Sequence, residues 1–183
     1  MKQWIAALVN HDVKLTRSLL ISQEKGFLVV LLKFFAHSGD SWFWLAGLFF
    51  VWLFSTGEWR QRAVFLGVGL AFMSAAVILL KLVIRRKRPE GEWGQIYRRT
   101  DPHSFPSGHA ARSTALVMIG LIIGPPWFAI ILLLWAPWVG IARVALGIHY
   151  LSDVIAGWVI GALMGLIALA FEPLILQVLH FLL

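Results

Sequence analysis

The sequence predicts an all-α fold: a polytopic transmembrane bundle of about five spans, preceded by N-terminal amphipathic helices lying in the interface. Three observations predict it. Of 183 residues, 60% are hydrophobic and 14% charged, against about half and a quarter in soluble domains. The mean hydropathy is +0.80. The apolar residues also fall into runs approaching the roughly 20 needed to cross the hydrocarbon layer. The whole chain, 1–183, reads as one membrane-embedded unit, with interfacial helices over 1–40 and a transmembrane core over 41–172. A polar loop, 85–108, interrupts the core. The net charge of +7 sits beside apolar spans, so it points to a membrane surface or an anionic substrate and not to nucleic acid. With no cysteine, disulfides and thiolate metal sites are excluded.

At the front, Trp4, Leu8, Leu15 and Leu19 form one helical stripe interrupted by Lys2, Asp12, Lys14 and Arg17. Phe27, Val30, Leu31, Phe34 and Phe35 form a second, near Lys25 and Lys33. Mixed faces of this kind suit helices lying in the interface, with a short, tilted sixth span at Phe27–His37 as the alternative. The spans follow over Ser41–Thr56, Gln61–Ile84, Ala110–Gly124, Trp127–Leu146 and Tyr150–Phe171. Asp40 stands where it would cap the first of them. Gly124-Pro125-Pro126 stops the third span and turns the chain. Pro137 should kink the fourth, which neighbouring helices can tolerate in lipid. Gly157, Gly161 and Gly165, four apart in the fifth, make a stripe that lets another helix approach closely. Leu174–Leu183 is too short to cross and should lie along the opposite interface.

Polar residues gather at the ends of the spans. Lys81 and Arg88 are seven apart, close to two helical turns. Ser107, Gly108 and His109 open the third span, where a hydroxyl, a permissive glycine and unpaired helix N–H groups suit an anion. Arg143, His149 and Asp153 bracket the junction of the fourth and fifth spans, and the four-residue step from His149 to Asp153 puts carboxylate and imidazole on one face. Alternating crossings bring all these ends to one side of the bilayer.

Three cations, backbone donors and two histidines match a phosphoryl group passing through a trigonal-bipyramidal state. Lys81, Arg88 and Arg143 would neutralise its oxygens. His149, oriented by Asp153, would be the nucleophile, and His109 would protonate the leaving lipid oxygen and then deprotonate water. No carboxylate cluster offers itself to a divalent metal, so neither metal nor cofactor is expected.

Lys81-x6-Arg88-Pro89, Pro106-Ser107-Gly108-His109 and Arg143-x5-His149-x3-Asp153 resemble, in order and spacing, the three signature motifs of the type-2 phosphatidic acid phosphatase family. The resemblance covers about Ser41 to Phe171. It implies a bacterial membrane lipid phosphatase that works through a phosphohistidine, with the same residue roles. Its substrates would be lipid phosphates or diphosphates: undecaprenyl diphosphate, phosphatidic acid, phosphatidylglycerol phosphate or phosphorylated lipid A. The basic loop favours a diphosphate. There are two departures. Ala142 stands where the family usually has Ser, which removes one hydroxyl contact to phosphate, and interfacial helices replace the usual first span. A soluble vanadium haloperoxidase shares the site but not the spans, and a non-hydrolytic lipid-binding or transport protein would not need the His149–Asp153 pair.

Other polar residues receive quieter readings. Arg85, Arg86 and Lys87 snorkel to headgroups, and His11, His37 and His180 are interfacial. Arg112, one turn past His109, either meets a second phosphate or anchors a headgroup. Tyr97, Arg98, Arg99 and His103 form either a lid or a solvated loop. All Lys and Arg residues except Arg60 and Arg62 fall on the catalytic side. The positive-inside rule would turn that side to the cytoplasm, but several of these cations serve phosphate, and the family resemblance points to the outer face. Nothing in the sequence sets an oligomeric state.

Overall fold

The computed structural model describes residues 2–21, 26–90 and 101–183. Its helices are α1 (Lys2–Ser18), α2 (Phe27–Ser38), α3 (Ser41–Phe54), α4 (Glu58–Ile84), α5 (Gly108–Ile123), α6 (Pro126–Ala145), α7 (Leu151–Ala170) and α8 (Glu172–Val178), followed by a 3₁₀ turn, His180–Leu182. Among the described residues there is no strand, only an isolated bridge between Lys87 and His103.

α5 is the centre of the bundle. Its Ala111, Ala115, Leu116 and Ile119 pack with Phe65, Leu70, Met73 and Val77 of α4, Leu132 and Ala136 of α6, and Ala168 of α7. The glycine stripe of α7 explains how closely α5 can lie: a Cβ on Gly161 would fall 2.1 Å from the carbonyl oxygen of Ala111. Only hydrogen fits there, and the backbones nearly touch. Large apolar side chains such as Val83, Leu134 and Ile122 point outward and are exposed, which suits a lipid-facing surface.

Five spans were expected, and three helices have the length and composition to cross a membrane: α4, α6 and α7, of 27, 20 and 20 residues. α3, with 14 residues, and α5, with 16, reach only about 21 and 24 Å. α5 is short because residues 101–107 ahead of it are irregular, so the helix starts only at Gly108. Pro137 lies within α6, which runs unbroken around it.

The N-terminal helices also differ from expectation. α2 buries Val29, Leu32 and Ala36, and it packs on Ala142, Ala145, Leu146 and Ile148 at the end of α6. It is therefore part of the bundle. α1 serves as a cap. Asp12 Oδ1 accepts the Ser152 N–H at 3.0 Å and Thr16 Oγ1 accepts that of Leu151 at 3.0 Å, satisfying N-terminal donors of α7 that the helix itself leaves unpaired. At the far end, Trp52 donates to the Leu182 carbonyl, so the chain end lies by the α3–α4 turn, away from the polar cluster.

Candidate active site

Residues 101–103 and His149 meet the C-terminal half of α4 and the N-terminus of α5 around a cavity of about 430 Å³. Lys81, Asp101, His103, Gly108, His109, Arg112 and His149 line its polar end, and Met73, Val77, Ile78 and Leu82 its apolar side. Ile78 and Leu82 are exposed on the outer face of α4, so the cavity opens sideways.

Arg88, Arg143, His149 and Asp153 are almost completely buried. Arg88 Nη1 donates to the Ile148 carbonyl and lies 3.1 Å from His149 Nε2. A guanidinium has no lone pair to give, so Nε2 must accept. The ring proton therefore sits on Nδ1, which faces Asp153 Oδ2 at 3.6 Å, an ion-pair separation longer than a hydrogen bond. Burial first, then the charges of Arg88, Arg143 and Lys81, holds the His149 imidazole well below its ordinary range. It is neutral, with its lone pair turned into a ring of cations. Burial likewise depresses the Arg88 guanidinium, with Asp101 opposing.

Asp153 is fixed on both oxygens. Oδ2 accepts the Tyr150 N–H at 2.9 Å and Oδ1 accepts Arg86 Nη1 at 2.7 Å. Arg86 also reaches Ser152 Oγ at 2.7 Å and Asp12 Oδ2 at 2.6 Å, and its guanidinium lies 4.0 Å from the Tyr150 ring centroid. The headgroup reading of Arg86 is thus corrected: it links α1 to the carboxylate behind His149. Arg85 and Lys87 do face outward.

Asp101 is the least anticipated member. Its Oδ2 bridges Lys81 Nζ at 2.5 Å and Arg88 Nη2 at 2.7 Å, and its carbonyl accepts Arg88 Nε at 2.6 Å. A carboxylate thus occupies two of the donors assigned to phosphate. Lys81 also donates to the His103 carbonyl at 2.8 Å, so His103 contributes backbone to the cavity mouth. Tyr97, Arg98 and Arg99, the rest of the suggested lid, lie outside the described residues.

On the α5 side, Ser107 is fully buried. Its hydroxyl caps the helix by accepting the Ala110 N–H, and its own N–H donates to the Asp153 carbonyl at 2.9 Å, joining the two histidine-bearing elements. Arg112 is buried and donates from Nη1 to the Gly39 carbonyl, which rules out headgroup anchoring. Arg143 Nη1 donates to the Ala36 carbonyl at 3.4 Å. Asp40, expected as a cap of α3, makes no capping bond; its Oδ1 lies 2.6 Å from His109 Nε2. Ala142 is buried in the apolar cluster with Leu32 and Ala36, so the usual serine hydroxyl would have pointed toward α2 at this position.

Sequence reading missed Asp12, Asp40 and Asp101 as members of the site. The signal available was their rarity: the chain has nine acidic residues, and an acid amid apolar runs needs a partner.

Comparison with known proteins places the same geometry in a family. A model of the PAP2 superfamily matches residues 62–175. An undecaprenyl-diphosphatase of Sulfolobus acidocaldarius is 28% identical, over 83% of this chain and 72% of its own. A decaprenylphosphoryl-5-phosphoribose phosphatase of Mycobacterium tuberculosis is 33% identical over 59% of this chain and 60% of its own; this chain therefore spans somewhat over half the length of that relative. The crystal structure of Aquifex aeolicus LpxE superposes with a TM-score of 0.67 at 25% identity, covering 86% of this chain and 94% of that one. A transmembrane PAP2-type phosphatidylglycerolphosphate phosphatase from Bacillus subtilis shares the fold, with a TM-score of 0.66 at 24% identity, over 91% of this chain and 87% of that one.

Proposed function

The chain belongs to the PAP2 superfamily and is a multi-pass membrane lipid phosphatase, and from that premise we propose that it hydrolyses a polyprenyl-linked phosphate or diphosphate through a phosphohistidine on His149, without a metal. One observation carries the mechanism: Arg88 holds His149 Nε2 as an acceptor inside a cation-lined cavity. A neutral imidazole whose lone pair faces an anion site is a nucleophile for phosphorus.

In the first step Arg88 turns its N–H from Nε2 to the incoming phosphate. The freed Nε2 lone pair attacks phosphorus, the bond to the lipid oxygen breaks, and His109 gives that oxygen a proton. Lys81, Arg88 and Arg143 stabilise the equatorial oxygens. Asp153 stabilises the charge that appears on the His149 ring. Water, deprotonated by His109, then attacks phosphorus and releases inorganic phosphate from His149. Arg112, which lines the cavity with His109, would meet the second phosphate of a diphosphate substrate.

Two considerations favour a polyprenyl chain. The named activities of the Sulfolobus and Mycobacterium relatives are on polyprenyl lipids, and the cavity opens sideways along Val77, Ile78 and Leu82. The membrane is the bacterial inner membrane, with the site on its outer face. A reporter fused after Leu183 tests the facing, since that end lies opposite the cavity.

The deciding experiment measures phosphate release by the purified protein, with chelator present, from undecaprenyl diphosphate, phosphatidic acid, phosphatidylglycerol phosphate and phosphorylated lipid A. Fastest release from the prenyl substrate supports the proposal. Binding without release would mean a lipid carrier, and a preference for a glycerolipid would overturn the substrate assignment.

A further inference from the structure

His109 has one polar partner among the described residues, and it lies outside the segment that matches the family. The match begins at residue 62, whereas Asp40 sits in the turn between α2 and α3. Asp40 Oδ1 meets His109 Nε2 at 2.6 Å, and Oδ2 lies 3.4 Å from His37 Nδ1. The turn is built to hold this contact. Arg112, one turn along α5 from His109, donates from Nη1 to the Gly39 carbonyl. Gly39 itself rests on the ring: a Cβ there would come 3.1 Å from His109 Cδ2 and 3.0 Å from Val139 Cγ1. A larger residue would push Asp40 away from the imidazole.

The electrostatic need is plain. A histidine that protonates a leaving group must carry positive charge. The cations acting on this one are Arg143 from α6 and Arg112 on its own helix, with Lys81 and Asp101 lining the same cavity. Asp40 is the counter-charge. Burial would raise its carboxyl, but the hydrogen bond and charge of His109, with those of His37, outweigh burial and hold it below the ordinary carboxylate value. Both ion-pair partners of Asp40 are imidazoles. No arginine forms an ion pair with it among the described residues, as Arg86 does with Asp153, although its charge also acts on Arg112.

We propose that Asp40 is the positioning residue for His109: its carboxylate takes the Nε2 proton in a hydrogen bond, presents Nδ1 to the leaving lipid oxygen, and balances the ring while it is protonated. The inference rests on the phosphatase reading. As Nε2 of His149 bonds to phosphorus and the P–O bond breaks, the Nδ1 proton of His109 moves to the lipid oxygen. Water later returns a proton to Nδ1 as phosphate leaves His149. Asp40 gains and loses none.

The test exploits the leaving group. The specificity constant kcat/KM covers the steps up to the first irreversible bond cleavage, and a nitrophenolate leaves without an acid whereas an alkoxide does not. Asp40→Asn should lower kcat/KM on dodecyl phosphate by about 10- to 100-fold, a share of what a general acid contributes, and on 4-nitrophenyl phosphate by less than about threefold. His109→Ala should show the same pattern, and the double variant should be no worse than His109→Ala alone. The ratio of the two losses does not depend on the folded fraction, so a partly unfolded sample still reports. If Asp40→Asn does not fold at all, Asp40→Glu, which keeps the charge but displaces it, should show the same dependence on leaving group. Equal losses on both substrates, or none on either, would overturn the inference. Wild-type protein inactive on both would instead bring down the phosphatase reading itself.

Discussion

The two histidine–carboxylate pairs of this protein face one cavity and are built in opposite ways. At His149, Arg88 holds Nε2 as an acceptor at 3.1 Å, and the carboxylate stands 3.6 Å away from Nδ1 with its charge shared with Arg86 at 2.7 Å. At His109, the carboxylate touches the ring at 2.6 Å and its other neighbour is a second imidazole. The first setting keeps an imidazole neutral, as a nucleophile needs. The second sets a carboxylate against the burial and the Arg143 charge that also disfavour protonation of His109, at a ring that must be charged when it acts. Identical residue types thus receive different duties from whatever else binds the carboxylate, the same logic by which paired acids divide acid and base roles in other enzymes.

Substitutions can break each half of this comparison. His149→Ala should cost the most, at least about 10⁴-fold in turnover, because it removes the atom that accepts phosphorus. Asp153→Asn should leave the protein folded and lower kcat by about 10³-fold, since the amide can no longer balance the His149 charge or fix its tautomer; a loss below tenfold would show that the 3.6 Å separation does not matter. Arg86→Met should lower kcat by about tenfold, because Asp153 loses one of its anchors and Asp12 of α1 loses its ion pair. Unchanged kcat in that variant would reduce Arg86 to a surface residue.

Smaller effects sharpen the picture. Asp101 occupies Lys81 and Arg88, so a substrate phosphate must displace it. Asp101→Asn should therefore lower KM by about two- to tenfold, in keeping with one charge-assisted contact, whereas a raised KM would make Asp101 an organiser of the cradle. The pH profile tests His149 directly. Its ring is held well below the ordinary imidazole range, so lowering the pH through about 6.5 should not protonate it. The acid limb of kcat/KM, corrected for the second ionisation of the substrate, should lie below that value. The same sign applies to stability. The unfolded chain takes up a proton on His149 near pH 6.5 that the folded chain refuses, so stability from this residue is present above that pH and lost below it.

Much of this was readable from residues alone, for identifiable reasons. Apolar runs and motif spacings are local features, and they located α4, α6 and α7 and brought Lys81, Arg88, His109, Arg143, His149 and Asp153 to one end of the bundle. Partnerships across the chain leave no such trace. Asp12 meets Arg86 from 74 residues away, Arg86 meets Asp153 from 67, and Asp40 meets His109 from 69. Seen in isolation, Asp12 passed for an interruption and Asp40 for a cap. α2 misled in another way: its apolar stripe flanked by lysines fits an interface helix and a bundle helix equally, and the choice rests on its contact with Ala142, Ala145 and Leu146.

The most direct test of the account is to trap the phosphoryl group. With His109 replaced by Ala and ³²P-labelled 4-nitrophenyl phosphate as substrate, the first step needs no acid while the second has lost its base. Nitrophenolate should appear in a burst of about one per site, leaving acid-labile, alkali-stable label on His149, and His149→Ala should give neither burst nor label. Continued release of nitrophenolate with no label on His149, or turnover surviving in His149→Ala, would contradict it.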